Sequence, residues 1–257
     1  MKTGRCSDKF MNPIILIPAR MAASRLPGKP LADIGGQAMI VRVLRQALDA
    51  DVGPVAVAAA DEAIVLAVSQ AGGRAVLTDP ALPSGSDRIL AALERLDPAG
   101  RHDVVINLQG DMPFIEASAP RVAVGLLARE AGCDVATLVA PELSADDRAN
   151  PDVVKAILAL DADGSGGRAL YFTRAVPYGE GPIWRHVGLY AYRRAALRRF
   201  CAAPPSPLER REGLEQLRAL EIGLAIHAAI VSAASISVDT AADLEAARAI
   251  ARETSHP

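Results

Sequence analysis

Three basic residues follow the first apolar run of this 257-residue chain. The run, residues 14–18, is short and rich in β-branched residues, which is typical of a buried parallel strand. Arg20, Arg25 and Lys29 lie in the loop after it. Open α/β sheets bind ligands at the carboxyl ends of their strands, and Gly28 lets backbone amides approach phosphate oxygens. The loop therefore predicts a nucleoside polyphosphate site, and the alternative is three solvated surface charges.

Acidic residues form a second candidate group. Residues 104–108, which are apolar except for Asn107, predict a buried strand that delivers Gln109 and Asp111 to the same sheet edge. A carboxylate there suits Mg²⁺, which binds carboxylates together with substrate phosphate oxygens, although Asp111 could also be a turn residue that caps the next helix. Asp239 and Thr240 precede a helix-like segment, where either residue is a candidate N-cap.

Two further groups offer polar side chains whose role is either ligand binding or structural. Ser84 and Gly85 open a predicted helix with Arg88 one turn inside, an arrangement that suits a ribose or pyrimidine edge or serves only as a helix cap. Alternation in a strand would put His186 and Tyr190 on one face. These two side chains are either structural or part of a polar pocket.

The elements that must position these residues alternate between strand-like and helix-like patterns. This alternation predicts βαβ units and a mostly parallel sheet. Strands are expected at 14–18, 55–59, 75–77, 103–108 and 135–140, and helices at 39–50, 62–71, 86–96 and 117–131.

After residue 141 the pattern changes to a smaller, partly antiparallel lobe at about 141–200. Segments 153–160 and 169–172 predict a hairpin whose tip is the Gly-rich stretch 161–167. A strand at 187–192, helices at 194–200 and 208–220, a short strand at 225–228 and a helix from 241 complete the expected order. Residues 12–257 are predicted to form a single domain, after a disordered extension at 1–11 with a second possible start at Met11.

Composition excludes several classes of protein. The net charge of −2 gives no support for binding nucleic acid or a membrane surface. No apolar run reaches the ~18 residues of a membrane span, and the run after the N-terminal basic residues is too short for a signal peptide. Cys6, Cys133 and Cys201 lack the spacing of a disulfide framework or zinc site, which fits a cytoplasmic protein. The first loop has neither the P-loop pattern nor G-x-G-x-x-G, which disfavours kinases and dehydrogenases.

The motifs together resemble the 3-deoxy-manno-octulosonate (Kdo) cytidylyltransferases, a family of sugar-activating nucleotidyltransferases. The resemblance rests on the loop at 18–30, on Asn107-Leu-Gln-Gly-Asp111, on Val238-Asp-Thr240 and on the stretches 171–174, 185–192 and 206–218. It runs in one order from about Ile14 to Arg248. It implies a three-layer α/β/α Rossmann-like fold and transfer of CMP from CTP to Kdo or a close eight-carbon relative, for lipopolysaccharide synthesis.

The resemblance also assigns roles. It implies that Arg20 and Lys29 hold phosphate oxygens, with Arg25, Ser84, Gly85 and Arg88 also binding the nucleotide, and that Asp111 and Asp239 hold Mg²⁺. The catalytic set would then be Arg20, Lys29 and Asp111, with no general base. The expected acceptor pocket consists of Gln109, Arg174, His186, Tyr190, Glu215 and Gln216. The family further implies a homodimer.

Two positions depart from the family pattern. Leu82 stands where the family has a His, and Ala60 stands where it has an Asp, although Asp61 is adjacent. These departures keep a non-catalytic nucleotide-binding relative open as an alternative. Another alternative is an acceptor other than Kdo, such as 8-amino-Kdo or a different acidic sugar.

Overall fold

A computed structural model describes residues 11–22, 25–141, 145–177, 179 and 182–254. The expected N-terminal extension lies outside these ranges except for Met11, and so does Cys6. The strands are β1 Pro13–Ala19, β2 Val55–Ala59, β3 Ala75–Leu77, β4 Val104–Leu108, β5 Val135–Pro141, β6 Lys155–Leu160, β7 Gly166–Thr173, β8 Trp184–Arg193 and β9 Ile226–Ile230. The α-helices are α1 Met39–Asp49, α2 Glu62–Gln70, α3 Gly85–Leu96, α4 Ser118–Arg129, α5 Ala145–Ala149, α6 Arg194–Ala202, α7 Pro207–Glu212, α8 Gln216–Glu221 and α9 Ala241–Thr254.

The described strands form one sheet in the order β3-β2-β1-β4-β8-β5-β9-β7-β6. The half built from β3, β2, β1 and β4 is parallel, as the alternating pattern predicts. Strand β8 runs antiparallel to both β4 and β5. The carboxyl ends of β1 and β4 therefore lie side by side, and the strand β8 that carries His186 and Tyr190 lies next to them.

The antiparallel strands of the second half extend this same sheet. Strand β6 pairs with β7 and also with the start of β8, while β9 joins β7 to β5. The pairings β8-β5-β9-β7-β6-β8 thus make a closed circuit. The predicted hairpin is correct, with β7 starting at Gly166, earlier than expected, because the Gly-rich turn is shorter than its composition indicates.

Two apolar layers cover the sheet and confirm the three-layer arrangement. On one face, helices α1, α2 and α4 pack against alternate residues of β1 such as Ile15 and Ile17. On the other face, α3, α6 and α8 pack against Ile14 and Leu16. Both faces of β1 are fully buried, which explains its continuous apolar run. No helix in the described ranges is long and apolar enough to cross a lipid bilayer.

The helix expected at 208–220 is in fact two helices. Ser206 and Glu209 form a capping box that starts α7, and Gly213 ends it in the left-handed conformation with φ of 66°. Helix α8 then starts at Gln216. The apolar periodicity continues across this break, so periodicity alone predicts one helix. The break places Glu215 and Gln216 at a helix start.

Candidate active site

A cavity of about 290 Å³ lies at the carboxyl ends of β1 and β4. All of the residues expected to bind nucleotide and metal contribute to it. Its lining consists of Pro18, Ala19, Arg20, Arg25, Leu26, Lys29, Pro30, Ser84, Gly85, Arg88, Gln109, Gly110, Asp111 and Asp239. The structure therefore brings the first loop, the start of α3, the end of β4 and the residue before Thr240 to one place.

Glycines allow the backbone to pack this closely. Gly28 adopts φ of 73°, and the chain continues directly into a 3₁₀ turn, Lys29–Leu31. A Cβ atom at Gly110 would lie 2.8 Å from the carbonyl oxygen of Pro18. Because that distance is below van der Waals contact, only glycine lets the ends of β1 and β4 approach as they do.

The Lys29 ammonium lies between the two candidate metal ligands. Its Nζ donates to Asp111 Oδ2 at 2.9 Å and to Asp239 Oδ1 at 3.0 Å. The Lys29 side chain is only 15% exposed. Burial alone would lower the pKa of Lys29, but the two carboxylates outweigh it and hold that pKa above its ordinary value. Arg25 adds a second cation 3.3 Å from Asp239 Oδ1.

Helix capping explains why the Asp239 carboxylate is available to the cavity. Thr240 Oγ1 accepts a hydrogen bond from the amide of Asp243, and Asp243 Oδ2 accepts from the amides of Asp239 and Thr240. Of the two candidate N-caps of α9, Thr240 is therefore the one that caps the helix, and Asp239 is not. The amide of Val238 donates to the carbonyl oxygen of Asp111 at 2.9 Å, which joins the two acidic segments directly.

These two carboxylates fit the requirements of Mg²⁺. Both lie within 3.0 Å of one ammonium, so the two carboxylates face the same small region of the cavity. Within the described ranges no cluster of three or more His, Cys, Asp and Glu residues could hold a metal. A cation that takes one or two carboxylates and completes its coordination with water and phosphate oxygens suits such a pair.

The start of α3 caps the helix and also lines the cavity. Ser84 Oγ accepts a hydrogen bond from the amide of Asp87, so Ser84 is the N-cap. Ser84 and Gly85 also line the cavity. The same hydroxyl lies 2.7 Å from Asp87 Oδ2 and 3.3 Å from Glu215 Oε1. Burial raises the pKa of Glu215 above its ordinary value, although hydrogen bonds from serines oppose that shift.

Arg88 is 2% exposed and holds the loop before α3. It donates to Thr78 Oγ1 at 2.7 Å, to the carbonyl of Asp79 at 3.0 Å and to that of Leu82 at 3.4 Å. A nucleotide contact by Arg88 stays a prediction. Because Arg88 holds the carbonyl of Leu82, the departure from the family pattern at this position changes only the side chain.

The other departure, at Ala60, has a neighbouring carboxylate. Asp61 Oδ2 accepts a hydrogen bond from the amide of Met21 at 2.8 Å. Asp61 therefore fixes the start of the basic loop from the adjacent position.

A bulge in β8 brings two of the expected acceptor residues, His186 and Tyr190, together. The pairing register shifts between Thr137 and Leu138, which leaves Gly188 and Leu189 of β8 without partners on β5. Residues four apart in a regular strand are separated by about 13 Å, yet the rings of His186 and Tyr190 have centroids 5.3 Å apart. The two side chains meet as predicted, but the bulge causes it and simple alternation does not.

Thr137 stabilises this bulge and fixes the form of His186. Its hydroxyl donates to the carbonyl of Leu189 at 2.8 Å, so the same oxygen is the acceptor for His186 Nε2–H at 3.0 Å. This assignment leaves Nδ1 of the neutral ring as an acceptor. Burial lowers the pKa of His186 to about 4, and burial also raises the pKa of Tyr190, with Glu215 adding to that shift.

Gln109 connects the acceptor residues to the cavity. Its Nε2 donates to Asn107 Oδ1 at 3.1 Å, and Asn107 is paired with Tyr190 across β4 and β8. A Cβ at Gly188 would lie 3.5 Å from Gln109 Cγ. Gln109 thus lies at the boundary between the phosphate-side cavity and the bulged strand. Gln216, the buried first residue of α8, follows Glu215.

Arg174 is not among the residues that line the cavity. It donates through Nε to the carbonyl of Glu212 and through Nη1 to that of Pro151. The Glu212 carboxylate in turn accepts from the amide of Arg174 and from the hydroxyls of Tyr171 and Thr173. In this structure Arg174 joins β7 to α7, and a sugar contact by it stays a prediction.

Sequence reasoning missed Thr137 and Glu212. Thr137 is fully buried in β5, where a threonine among apolar residues indicates a required hydrogen bond. Glu212 stands immediately before a helix-ending glycine. Neither pattern identifies the partner, because both partners come from distant parts of the chain.

Comparisons with known proteins converge on one family. Residues 14–226 match the sequence profile described as Cytidylyltransferase. A 3-deoxy-manno-octulosonate cytidylyltransferase of Rhodospirillum centenum is 61% identical over 240 residues, which are 93% of each chain. One of Parvibaculum lavamentivorans is 56% identical over 239 residues, covering 93% of this chain and 92% of that protein.

Solved structures agree with the sequence comparisons. The structure of a CMP:2-keto-3-deoxy-manno-octonic acid synthetase in complex with CTP superimposes with a TM-score of 0.84 at 36% identity. The match covers 95% of this chain and 99% of that one. A nucleotidyl transferase from Methanothermobacter shares only the fold, with a TM-score of 0.62 at 16% identity.

Proposed function

Since this chain belongs to the 3-deoxy-manno-octulosonate cytidylyltransferases, within the cytidylyltransferase family, we propose that it transfers CMP from CTP to the anomeric hydroxyl of Kdo. The high identity to such enzymes along almost the whole chain supports the activity. The cavity and its charges support the roles that are proposed below for individual residues.

The reaction is a substitution at phosphorus. The anomeric hydroxyl oxygen attacks the α-phosphorus of CTP, the bond from that phosphorus to the bridging oxygen breaks, and pyrophosphate leaves. The hydroxyl proton passes to solvent, since no side chain in the cavity is assigned as a general base. The protein contributes by positioning the two substrates and by neutralising charge.

The basic loop supplies the positive charge. Arg20, Arg25 and Lys29 all line the cavity, and their donors would hold the triphosphate. Ser84 and Gly85 at the start of α3 would contact the nucleoside. Asp111 and Asp239 would hold Mg²⁺, which when bound supplies charge neutralisation and a lower pKa for the attacking hydroxyl.

The acceptor side would begin at Gln109 and continue to the bulge of β8. His186 offers a neutral ring with an acceptor nitrogen, and Tyr190, Glu215 and Gln216 offer further hydrogen-bonding groups. Arg174 remains a candidate for the sugar carboxylate if its two carbonyl contacts are exchanged on binding. We expect discrimination among sugars to depend on this side of the site.

The position of Lys29 between Asp111 and Asp239 inside the cavity is the observation that carries this proposal. Pyrophosphate release tests it, measured with each nucleoside triphosphate and with Kdo, 8-amino-Kdo and a nine-carbon sugar acid. We expect turnover with CTP and Kdo. Preference for 8-amino-Kdo or for another acid would reassign the acceptor, and no release with any pair would indicate a non-catalytic relative.

The remaining proposals concern the cellular location, the oligomeric state and the pathway of the enzyme. We place it in the cytoplasm, as a homodimer that supplies activated Kdo for lipopolysaccharide synthesis. The hairpin of β6 and β7 presents Leu160 and Leu170, which are 46% and 48% exposed, as candidate dimer contacts. Sedimentation of the wild type and of a Leu160→Glu, Leu170→Glu variant tests this assembly.

A further inference from the structure

We propose that Lys29 is an internal counter-ion that keeps divalent cations off Asp111 and Asp239 until the nucleotide's phosphates draw its ammonium away. This inference rests on the proposed function and concerns the order in which the same site fills. It assigns Lys29 a role before the nucleotide binds, in addition to its role on the triphosphate.

The geometry makes the two cations mutually exclusive. Lys29 Nζ lies 2.9 Å from Asp111 Oδ2 and 3.0 Å from Asp239 Oδ1, so it occupies the place from which both oxygens are reached. A magnesium ion bonded to these oxygens at about 2.0–2.1 Å would come within contact distance of the ammonium. Lys29 must therefore move when the metal enters.

The charges also balance without a metal. The two carboxylates face Lys29, and Arg25, which also contacts Asp152 at 3.7 Å, lies 3.3 Å from Asp239, so two cations already offset the pair. A divalent cation that enters this cluster gains little net attraction. The affinity of the nucleotide-free protein for metal is therefore low.

The triphosphate changes this balance. Its oxygens enter the same cavity and offer Lys29 new acceptors, and a lysine has a flexible four-carbon stem that lets its ammonium follow them. Once Lys29 has moved, the carboxylates are free to hold the metal. Binding of nucleotide and metal is then positively coupled, and the coupling is reciprocal.

Binding of Mn²⁺ to the nucleotide-free protein tests the proposal, followed by calorimetry and by the electron paramagnetic resonance signal of free Mn²⁺. Wild type is expected to bind weakly. Lys29→Met and Lys29→Gln are each expected to bind at least tenfold more tightly. Addition of Asp111→Asn to Lys29→Met should remove the gain, which locates the ion at the carboxylate pair.

Arg20→Met is the matched control, because it removes another cation of the cavity. It should change Mn²⁺ affinity less than threefold. Equal affinities for wild type and both Lys29 variants would overturn the proposal, as would an equal gain in Arg20→Met.

A second measurement uses wild type alone and does not depend on the folding of a variant. Nucleotide-free crystals soaked in MnCl₂ should show no anomalous signal between Asp111 and Asp239. A strong signal there with Lys29 unmoved would overturn the proposal. Failure of the proposed function would instead appear as absent pyrophosphate release, which these metal-binding measurements do not involve.

Discussion

Ser84 Oγ lies 3.3 Å from Glu215 Oε1, although the two residues are 131 positions apart in the chain. The single proton of the serine hydroxyl has a nearer acceptor in Asp87 Oδ2, at 2.7 Å. Glu215 Oε1 is the second acceptor within reach of that proton, and burial raises the pKa of Glu215 above its ordinary value. The contact between Ser84 and Glu215 joins the proposed nucleoside side of the site to the proposed acceptor side.

A double-mutant cycle between Ser84 and Glu215 should show coupling. Ser84→Ala and Glu215→Gln are each expected to lower kcat/KM, with an interaction free energy of about 0.5–3 kcal/mol between them. Steady-state kinetics with CTP and Kdo varied in turn measure it. Strictly additive losses would mean that the two residues act separately.

Asp111→Asn is expected to reduce kcat/KM by about 100-fold or more, because it removes a charged ligand from the proposed metal pair. Asp239→Asn should behave in the same way. Circular dichroism should report an unchanged fold for both. Asp49→Asn, an exposed carboxylate at the end of α1, serves as the control and should retain activity. A folded Asp111→Asn enzyme with normal turnover would exclude the metal role.

Arg20→Ala is expected to raise the KM for CTP about ten- to a hundredfold, since a charge-assisted bond to phosphate contributes roughly 1.5–3 kcal/mol. The KM for the sugar should change much less. Arg45→Ala, an exposed arginine on α1, is the matched control. A rise confined to the sugar KM would show that the orientation proposed for the site is reversed.

The partly buried His186 ring should make the free energy of unfolding depend on pH. Burial lowers its pKa to about 4, against an ordinary value of 6.5. Between these values the unfolded chain binds a proton that the native chain does not, so stability falls as pH falls through this window. At pH 4.5, wild type should lose about 2 kcal/mol more than His186→Asn, relative to pH 7.5.

Urea unfolding at the two pH values gives this difference, because contributions from other groups are common to both proteins. His102→Asn keeps His186 and should lose stability as wild type does. Identical profiles for wild type and His186→Asn would mean that His186 is protonated in the native protein.

Gln216→Ala is expected to weaken discrimination between eight-carbon and nine-carbon sugar acids about tenfold or more, with CTP affinity nearly unchanged. A pocket that hydrogen-bonds its substrate penalises analogues that leave its polar groups unpaired. Paired kcat/KM values for the two sugars and calorimetry of CTP binding provide the test. Equal losses on both sugars together with lost CTP affinity would place Gln216 in the fold or the nucleotide site.

The sequence predicts the parallel half of the sheet because each of its strands and helices has a recognisable local pattern. Each strand there is a short apolar run, and each crossover helix has its own periodicity, as in 14–18 followed by 39–50. The basic loop and Asp111 could be placed together for the same reason. Strands that end at one sheet edge deliver their following residues to one site.

Other parts of the site depend on contacts that no local pattern encodes. The bulge that joins His186 to Tyr190 depends on Thr137, which lies 49 residues before His186. The position of Asp239 depends on the amide of Val238 reaching Asp111. The family resemblance placed these residues in one site, whereas their spacing in the sequence could not.

The contact between Lys29 and Asp239 spans 210 residues of the chain. Helix α9, which follows Asp239, packs through Leu244 and Ala247 against Ile34 and Met39, just beyond the basic loop. During translation, β1 to β4 can therefore emerge from the ribosome and pair long before Asp239 exists. The nascent chain then carries the basic loop with Asp111 but without Asp239, so the proposed site is complete only after the last segment of the chain has been made.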